Sequence, residues 1–279
     1  MTEVVYISDF FLSDLIGGGE LNDHELCKEL QSRNVQVKKN RSHKLMANQI
    51  TKENFYIISN FINLNEKVKD KLKDDCNYVI YEHDHKYLTT RNPAMYNNYK
   101  APKEHLINVD FYKSAKAVFC QSSFHEKIVN YNLSLSNTFN VSGNLWSKES
   151  LEIMEGLGEN EKKSRYSILN SRIGHKNTSE TLNYCIAKGL EYELISSGNY
   201  YEFLSMLSKN SKFIFLPKTP ETLSRVVVEA KMMNVGIVTN KRVGASFEPW
   251  FNLKGSELIE VMENKRKQVA DKILELIYE

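Results

Sequence analysis

The chain has 279 residues, 41% of them apolar, and its 37 Lys and Arg against 35 Asp and Glu leave a formal net charge of +2, which singles out neither nucleic acid nor membrane. Four widely spaced cysteines (Cys27, Cys76, Cys120, Cys185) contain no Cys-x-x-Cys pair, which argues against a disulfide framework or structural zinc and for a reducing compartment. Apolar runs fall short of the ~18 residues of a membrane span, and Met1-Thr2-Glu3 leads into a strand rather than a charged leader, so a soluble cytoplasmic protein is expected.

Residues 4–8 read as a buried strand and 20–32 as a helix with Leu21, Leu26 and Leu30 at its apolar positions. Residues 35–38, 55–59, 78–81 and 117–121 read as further strands, with helical segments between several of them. The polar stretch 157–164, with Glu159, Glu161, Lys162 and Lys163, has the composition of a linker. Behind it, strands 166–171, 192–196, 213–216 and 237–239 alternate with helices 177–188 and 200–208 and a helix carrying Glu229. A long helical pattern closes the chain over 256–278. This alternation predicts an α/β protein whose parallel sheets are covered on both faces. Ligands of such open sheets bind beyond the carboxyl ends of the strands, so the residues there carry the functional argument.

After the first strand comes Ile16-Gly17-Gly18-Gly19-Glu20. Three glycines before a helix let backbone amides approach a phosphate or sugar, and a flexible loop with a helix start reads the same way. The triplet is neither a G-x-G-x-x-G fingerprint nor a P-loop. After the second strand, Lys38, Lys39, Arg41 and Lys44 form a basic run without acidic neighbours, suited to acceptor phosphates or simply to solvent. Lys67, Lys69, Lys71 and Lys73, interspersed with Glu66, Asp70 and Asp74, read as a solvated helix face.

The fourth strand ends in Glu82-His83-Asp84-His85. His-x-His on an extended segment puts both rings on one face, as a metal site would need, but no further Cys/His cluster accompanies it. The alternatives are histidines hydrogen-bonded in a cleft, or a site where Asp84 orients or accepts a proton from an acceptor hydroxyl.

In the second block, Arg172 and Lys176 follow a strand, where a guanidinium fork and an ammonium suit a diphosphate, although a solvated basic turn has the same composition. The stretch Pro220-Glu221-Thr222-Leu223-Ser224-Arg225-Val226-Val227-Val228-Glu229 follows the strand ending near Pro217. Thr219 as cap and Pro220 at the first position predict a helix from there. Its free amides would seat a phosphate, and its two carboxylates would lie roughly 12 Å apart along the axis. An ordinary helix with acidic residues near its start is the plainer reading.

Glu221 and Glu229 resemble the E-x7-E motif of retaining glycosyltransferases with two Rossmann-like domains, the GT-B fold of family 4-like enzymes. The Gly17–Glu20 loop, His83-Asp84, Arg172 with Lys176, and Val243-Gly244 are similar to further family segments. The family usually has Phe-Gly where this chain has Leu223-Ser224, and Gly where it has Asn177. The string from Val79 through His85, continuing to Leu88, Arg91 and Asn92, is also similar to the Tyr-Gln-His-Asp-His segment of the DNA α-glucosyltransferases of T-even bacteriophages.

The resemblance implies two domains facing a central cleft: residues 1–156 on the acceptor side, a linker over 157–164, a nucleotide-sugar domain over 165–255, and a helix over 256–279 that crosses back to the first domain. It implies a UDP-sugar donor and no required metal or other cofactor. Glu221 would contact sugar hydroxyls, Glu229 the ribose, and the amides near Leu223 and Ser224 the diphosphate, with Gly18 and Gly19 also on the donor. Arg172, Lys176 and the helix amides would stabilise the leaving diphosphate, and the acceptor hydroxyl would attack from the same face and pass its proton to that phosphate. His83 and Asp84 would serve the reacting hydroxyl. Lys38, Lys39, Arg41, Lys44, His85 and Arg91 would hold an acceptor, for which double-stranded DNA carrying 5-hydroxymethylcytosine is the expected choice. A glycan or lipid acceptor of surface-polysaccharide synthesis is the alternative, without a basic amphipathic helix to favour it. A non-catalytic nucleotide-sugar-binding module is the third reading.

Overall fold

The computed structural model describes residues 3–279, so Met1 and Thr2 of the leader reading lie outside the described residues. The chain divides into two compact units, one formed by residues 1–145 and 264–279, the other by residues 146–263.

The first unit runs β1 (Val4–Ser8), α1 (Gly18–Ser32), β2 (Val37–Arg41), β3 (Phe55–Ile58), α2 (Glu66–Asp75), β4 (Asn77–Tyr81), α3 (Val109–Ser114), β5 (Ala117–Cys120), α4 (Ser123–Leu133) and β6 (Thr138–Asn140). All strand pairs are parallel, in the order β2-β1-β3-β4-β5-β6. The central strands are apolar at nearly every position because both faces are covered. Val5, Ile7, Tyr56, Ile58, Tyr78 and Ile80 point into one core with α2 and α3. Val4, Tyr6, Phe55, Ile57, Val79 and Tyr81 point into the other, against Leu26 and Leu30 of α1 and Val269, Ala270 and Ile273 near the C-terminus. Strand order reverses between β1 and β3, the switch point at whose carboxyl ends open parallel sheets place their ligands.

The second unit runs α5 (Lys148–Gly158), β7 (Lys163–Leu169), α6 (Thr178–Ala187), β8 (Tyr192–Ile195), α7 (Tyr200–Ser208), β9 (Asn210–Phe215), α8 (Arg225–Met232), β10 (Gly236–Thr239) and α9 (Gly255–Tyr278), whose last two-thirds belong to the first unit. Residues 157–164 hold the end of α5, a short turn and the start of β7. The parallel sheet is ordered β10-β9-β7-β8, with its reversal between β7 and β9. Phe213, Phe215, Val227, Val228 and Ala230 are fully or almost fully buried in its main core.

Three expectations change. The helix does not start at Pro220, and α8 begins only at Arg225 with Ser224 as its N-cap. The Glu221 amide instead donates to the Arg242 carbonyl (2.7 Å) and the Gly244 amide to the Glu221 carbonyl (2.9 Å), a parallel bridge that keeps this stretch extended. A helical rise therefore does not measure the separation of Glu221 and Glu229. Lys38 to Arg41 lie within β2 rather than after it. Lys69 is buried rather than solvated, and its ammonium donates to Asn108 Oδ1 at 2.8 Å.

Candidate functional site

In the first unit, β1 ends at Ser8 and the chain loops over residues 9–17 before Gly17 caps α1, so Gly18, Gly19 and Glu20 form the first turn of the helix rather than a loop. A Cβ added to Gly19 would lie 3.4 Å from the His83 ring, so the first turn of α1 and the imidazole are in van der Waals reach. None of these glycines has a positive φ, so close approach rather than an unusual turn accounts for Gly19. Gly18 is the first residue of the helix. One turn on, Asp23 is almost wholly buried. Its carboxylate meets His83 Nε2 at 2.6 Å and accepts from the Ser59 hydroxyl at 2.6 Å. The Gln121 amide lies 2.5 Å from His83 Nδ1. Assigned from this network, Gln121 donates to Nδ1 and Nε2–H donates to Asp23. Burial pushes the Asp23 carboxyl up, but the charge and hydrogen bonds of His83 and the Ser59 hydroxyl outweigh it and hold the group below the usual range.

Asp84 stands in a second network. Its outer oxygen Oδ2 accepts from Arg91 Nε at 2.8 Å, and Oδ1 accepts from Lys86 Nζ at 3.0 Å. Lys86 is buried and also donates to Glu82, which is fully buried, accepts from the Tyr112 hydroxyl, and takes the Asp84 amide at 3.0 Å. Burial works against ionised Asp84, yet Lys86 and Arg91 hold its carboxyl far below the ordinary range. Burial pushes Glu82 up.

The two histidines of His-x-His do not converge. His85 is buried, with Nδ1 2.9 Å from the Tyr87 hydroxyl and its ring edge-on to His125 at 5.1 Å between centroids. The reason is that β4 ends at Tyr81, so alternation of faces no longer applies at residues 83 and 85. His85 is thus placed inside the unit, away from the surface expected for an acceptor contact.

Among the basic residues, Lys38, Lys39 and Lys44 are exposed. Arg41 is engaged with Asp14, at 3.1 Å from Nε to Oδ2 and 2.5 Å from Nη2 to Oδ1. That pairing, which the spacing of charges along the chain does not reveal, ties β2 to the loop after β1.

In the second unit, the candidate residues gather where β7 and β9 diverge. Arg172 is exposed and makes no ion pair among the described residues. Lys176 closes a short 3-10 turn, and its ammonium lies 2.9 and 2.8 Å from the two oxygens of Glu221. The loops are laced by the Lys218 amide donating to the His175 carbonyl (2.9 Å) and the Asn177 side-chain amide donating to the Leu216 carbonyl (2.7 Å). Asn177 and Ser224, where the resembling family has glycine, both have positive φ, 63° and 75°. The amides of Leu223 and Ser224 donate to no acceptor among the described residues, and the Ser224 hydroxyl is buried without a partner among them. They stand at the N-terminus of α8, where backbone N–H groups favour an anion.

Glu229, one helical turn further in, is 3% exposed. Trp146 Nε1 donates to its Oε1 at 2.9 Å and the Tyr200 hydroxyl at 2.8 Å, and Arg225 Nε lies 3.4 Å from the same oxygen. Oε2 accepts no hydrogen bond among the described residues, which leaves one oxygen for a ligand hydroxyl. The Arg225 guanidinium stacks 4.3 Å from the Trp146 ring centroid. Sequence reasoning missed Trp146, Tyr200 and Arg225. The Arg225–Glu229 spacing of four was a usable signal, whereas Trp146 and Tyr200 come from distant segments.

No protein-family model matches the sequence, and no curated protein matches it either. Solved structures do. The catalytic domain of starch synthase IV from Arabidopsis thaliana, bound to ADP and acarbose, aligns with a TM-score of 0.63 at 8% identity over 99% of each chain. The Anabaena protein HepE in complex with UDP and glucose gives 0.54 at 12% identity over 98% of this chain and 91% of the other. An α-glucosyltransferase in complex with UDP and a 13-mer DNA containing an HMU base gives 0.52 at 10% identity over 99% and 95%. The fold of this chain is therefore GT-B, two Rossmann-like units each built on a parallel sheet.

Proposed function

We propose that the protein is a retaining glycosyltransferase that moves a hexose from a UDP-sugar to a hydroxymethylated base in DNA, with 5-hydroxymethylcytosine as the acceptor. The observation that carries the transferase reading is the meeting of Lys176, Glu221 and the unengaged amides of Leu223 and Ser224 at the divergence of β7 and β9. A cation, a hydroxyl acceptor and a helix N-terminus at one switch point match the three parts of a nucleotide sugar. Glu229 Oε2 serves the ribose, and the exposed Arg172, without an ion pair among the described residues, serves the leaving diphosphate. The likeness to a glucosyltransferase in complex with DNA, together with the Glu82–His85 segment and the exposed Lys38, Lys39 and Lys44, supports DNA over a glycan.

The experiment is a two-stage one. UDP should raise the melting temperature by mass action, and Glu229→Ala should abolish that shift. Radiolabelled UDP-sugars should then label hydroxymethylcytosine DNA in preference to plain DNA, glycan or lipid. Arg172→Ala should slow that transfer roughly 100-fold, and EDTA should leave it nearly unchanged. Transfer to a glycan or lipid acceptor alone would replace DNA by surface-polysaccharide synthesis. No stabilisation by any nucleoside diphosphate at millimolar concentration would sink the transferase reading itself.

A further inference from the structure

Lys86 belongs to none of the motifs that suggest a function, yet it is among the most buried charges in the molecule, 2% exposed. A lysine this deep stays charged only beside carboxylates. Burial works against its ammonium, and Asp84 and Glu82 more than offset it. The geometry is lopsided. Lys86 and the Asp84 oxygen it holds face inward, whereas the other Asp84 oxygen faces the exposed Arg91. The backbone around Asp84 is fixed as well, because its amide donates to Glu82 (3.0 Å) and its carbonyl accepts from His125 Nε2 (2.9 Å).

We propose that Lys86 is a positioning residue: with Glu82 it forms a buried pair that pins the inner oxygen of Asp84, so that an acceptor hydroxyl reaches the carboxylate at the outer oxygen, in place of the exposed Arg91 that holds it through Nε and Nη2. This rests on the reading of Asp84 as the group that meets the acceptor. The charged and titratable groups facing Asp84 are Lys86, Glu82 and Arg91 from its own loop, His125 from α4, and Tyr112 from α3 through Glu82.

Removing Lys86 alone would strand the Glu82 charge, so the test uses the neutral pair Glu82→Gln with Lys86→Met. Glu82→Gln with Lys86→Gln serves if the first does not fold. Two readouts apply. In a ¹³C-carboxylate NMR titration, with the Asp84 resonance assigned through Asp84→Asn, the neutral pair should raise the Asp84 midpoint by about one pH unit or more. In sugar transfer to hydroxymethylcytosine DNA, the neutral pair should lower kcat at least about tenfold with KM for the UDP-sugar unchanged, and its acid limb should move up with the titration. An unmoved titration alongside an inactive Asp84→Asn enzyme would overturn the positioning role alone. Wild-type turnover by Asp84→Asn would overturn the reading of Asp84 and the positioning role with it.

Discussion

The ammonium of Lys176 sits almost symmetrically between the two oxygens of Glu221, at 2.9 and 2.8 Å, although 45 residues separate them in sequence. Under the proposed function these two groups serve different ends of one ligand, the cation the diphosphate and the carboxylate the sugar. A donor must then exchange their mutual contact for contacts of its own.

That exchange gives a signed expectation. Glu221→Gln frees Lys176 from its ion pair, so UDP without a sugar should bind about threefold to tenfold tighter, a gain on the order of 1 kcal/mol. Sugar transfer should fall in the same variant, because the carboxylate acceptor for the sugar hydroxyls is gone. Calorimetric titration with UDP beside steady-state transfer rates separates the two. Weaker UDP binding would mean that Glu221 does not compete for Lys176.

Ser224 and Asn177 pose a backbone test. Both hold the left-handed conformation, at φ 75° and 63°. Left-handed backbone costs a residue with a Cβ about 1–3 kcal/mol, against about 0.5–1 kcal/mol of entropy for glycine. The Ser224 hydroxyl has no partner among the described residues to lose. Ser224→Gly should therefore stabilise the protein by about 1 kcal/mol. Asn177→Gly should destabilise it by a similar amount, since asparagine tolerates this region and its amide bonds the Leu216 carbonyl at 2.7 Å. Urea midpoints of the two variants check the opposite signs.

The same positions show what the sequence could tell. Apolar runs such as Val4-Val5-Tyr6-Ile7 and Phe55-Tyr56-Ile57-Ile58 announce buried parallel strands because both of their faces are covered. Strand β6, three half-exposed residues (Thr138–Asn140), has no such run and was not legible. Thr219-Pro220 carries an ordinary helix-start signal, which the bridge from Glu221 to Val243 overrides through contacts 22 residues away. The candidate ligand groups were legible by type and spacing, but their partners were not. Asp23 looks like part of the polar face of α1 until the fold buries it against His83, and Arg41 looks like a phosphate ligand until the fold hands it Asp14.

Acid should unfold the first unit through His85. Burial lowers its pKa from 6.5 to about 4. Between these values the unfolded chain binds a proton that the folded chain does not, so stability falls as pH drops from about 6.5 to 4. The contribution at stake is on the order of 3 kcal/mol. His85→Gln should flatten the dependence of urea stability on pH in that window, leaving the share due to His125, which burial also holds well below its usual value. An unchanged slope would show that His85 protonates without unfolding.

The acceptor makes the last prediction. If DNA binds through its backbone, affinity should fall with salt, by about 0.9 in the logarithmic slope for each phosphate contact. Lys38, Lys39 and Lys44 are exposed, and replacing the three with alanine should flatten that slope while the UDP-induced rise in melting temperature stays. Arg41 should behave differently from its neighbours. Its guanidinium is already matched by Asp14, whose carboxyl the Arg41 hydrogen bonds hold below the usual range. Arg41→Ala should therefore leave the salt slope nearly unchanged, whereas Asp14→Ala should steepen it by releasing a cation. Under the proposed function the acceptor base would have to leave its stack at a cost of a few kcal/mol, so mismatched or single-stranded hydroxymethylcytosine should react at least as fast as paired. A salt slope that Arg41→Ala flattens as much as the lysine triple variant would place Arg41 on the phosphates and Asp14 outside the loop-anchoring role assigned to it.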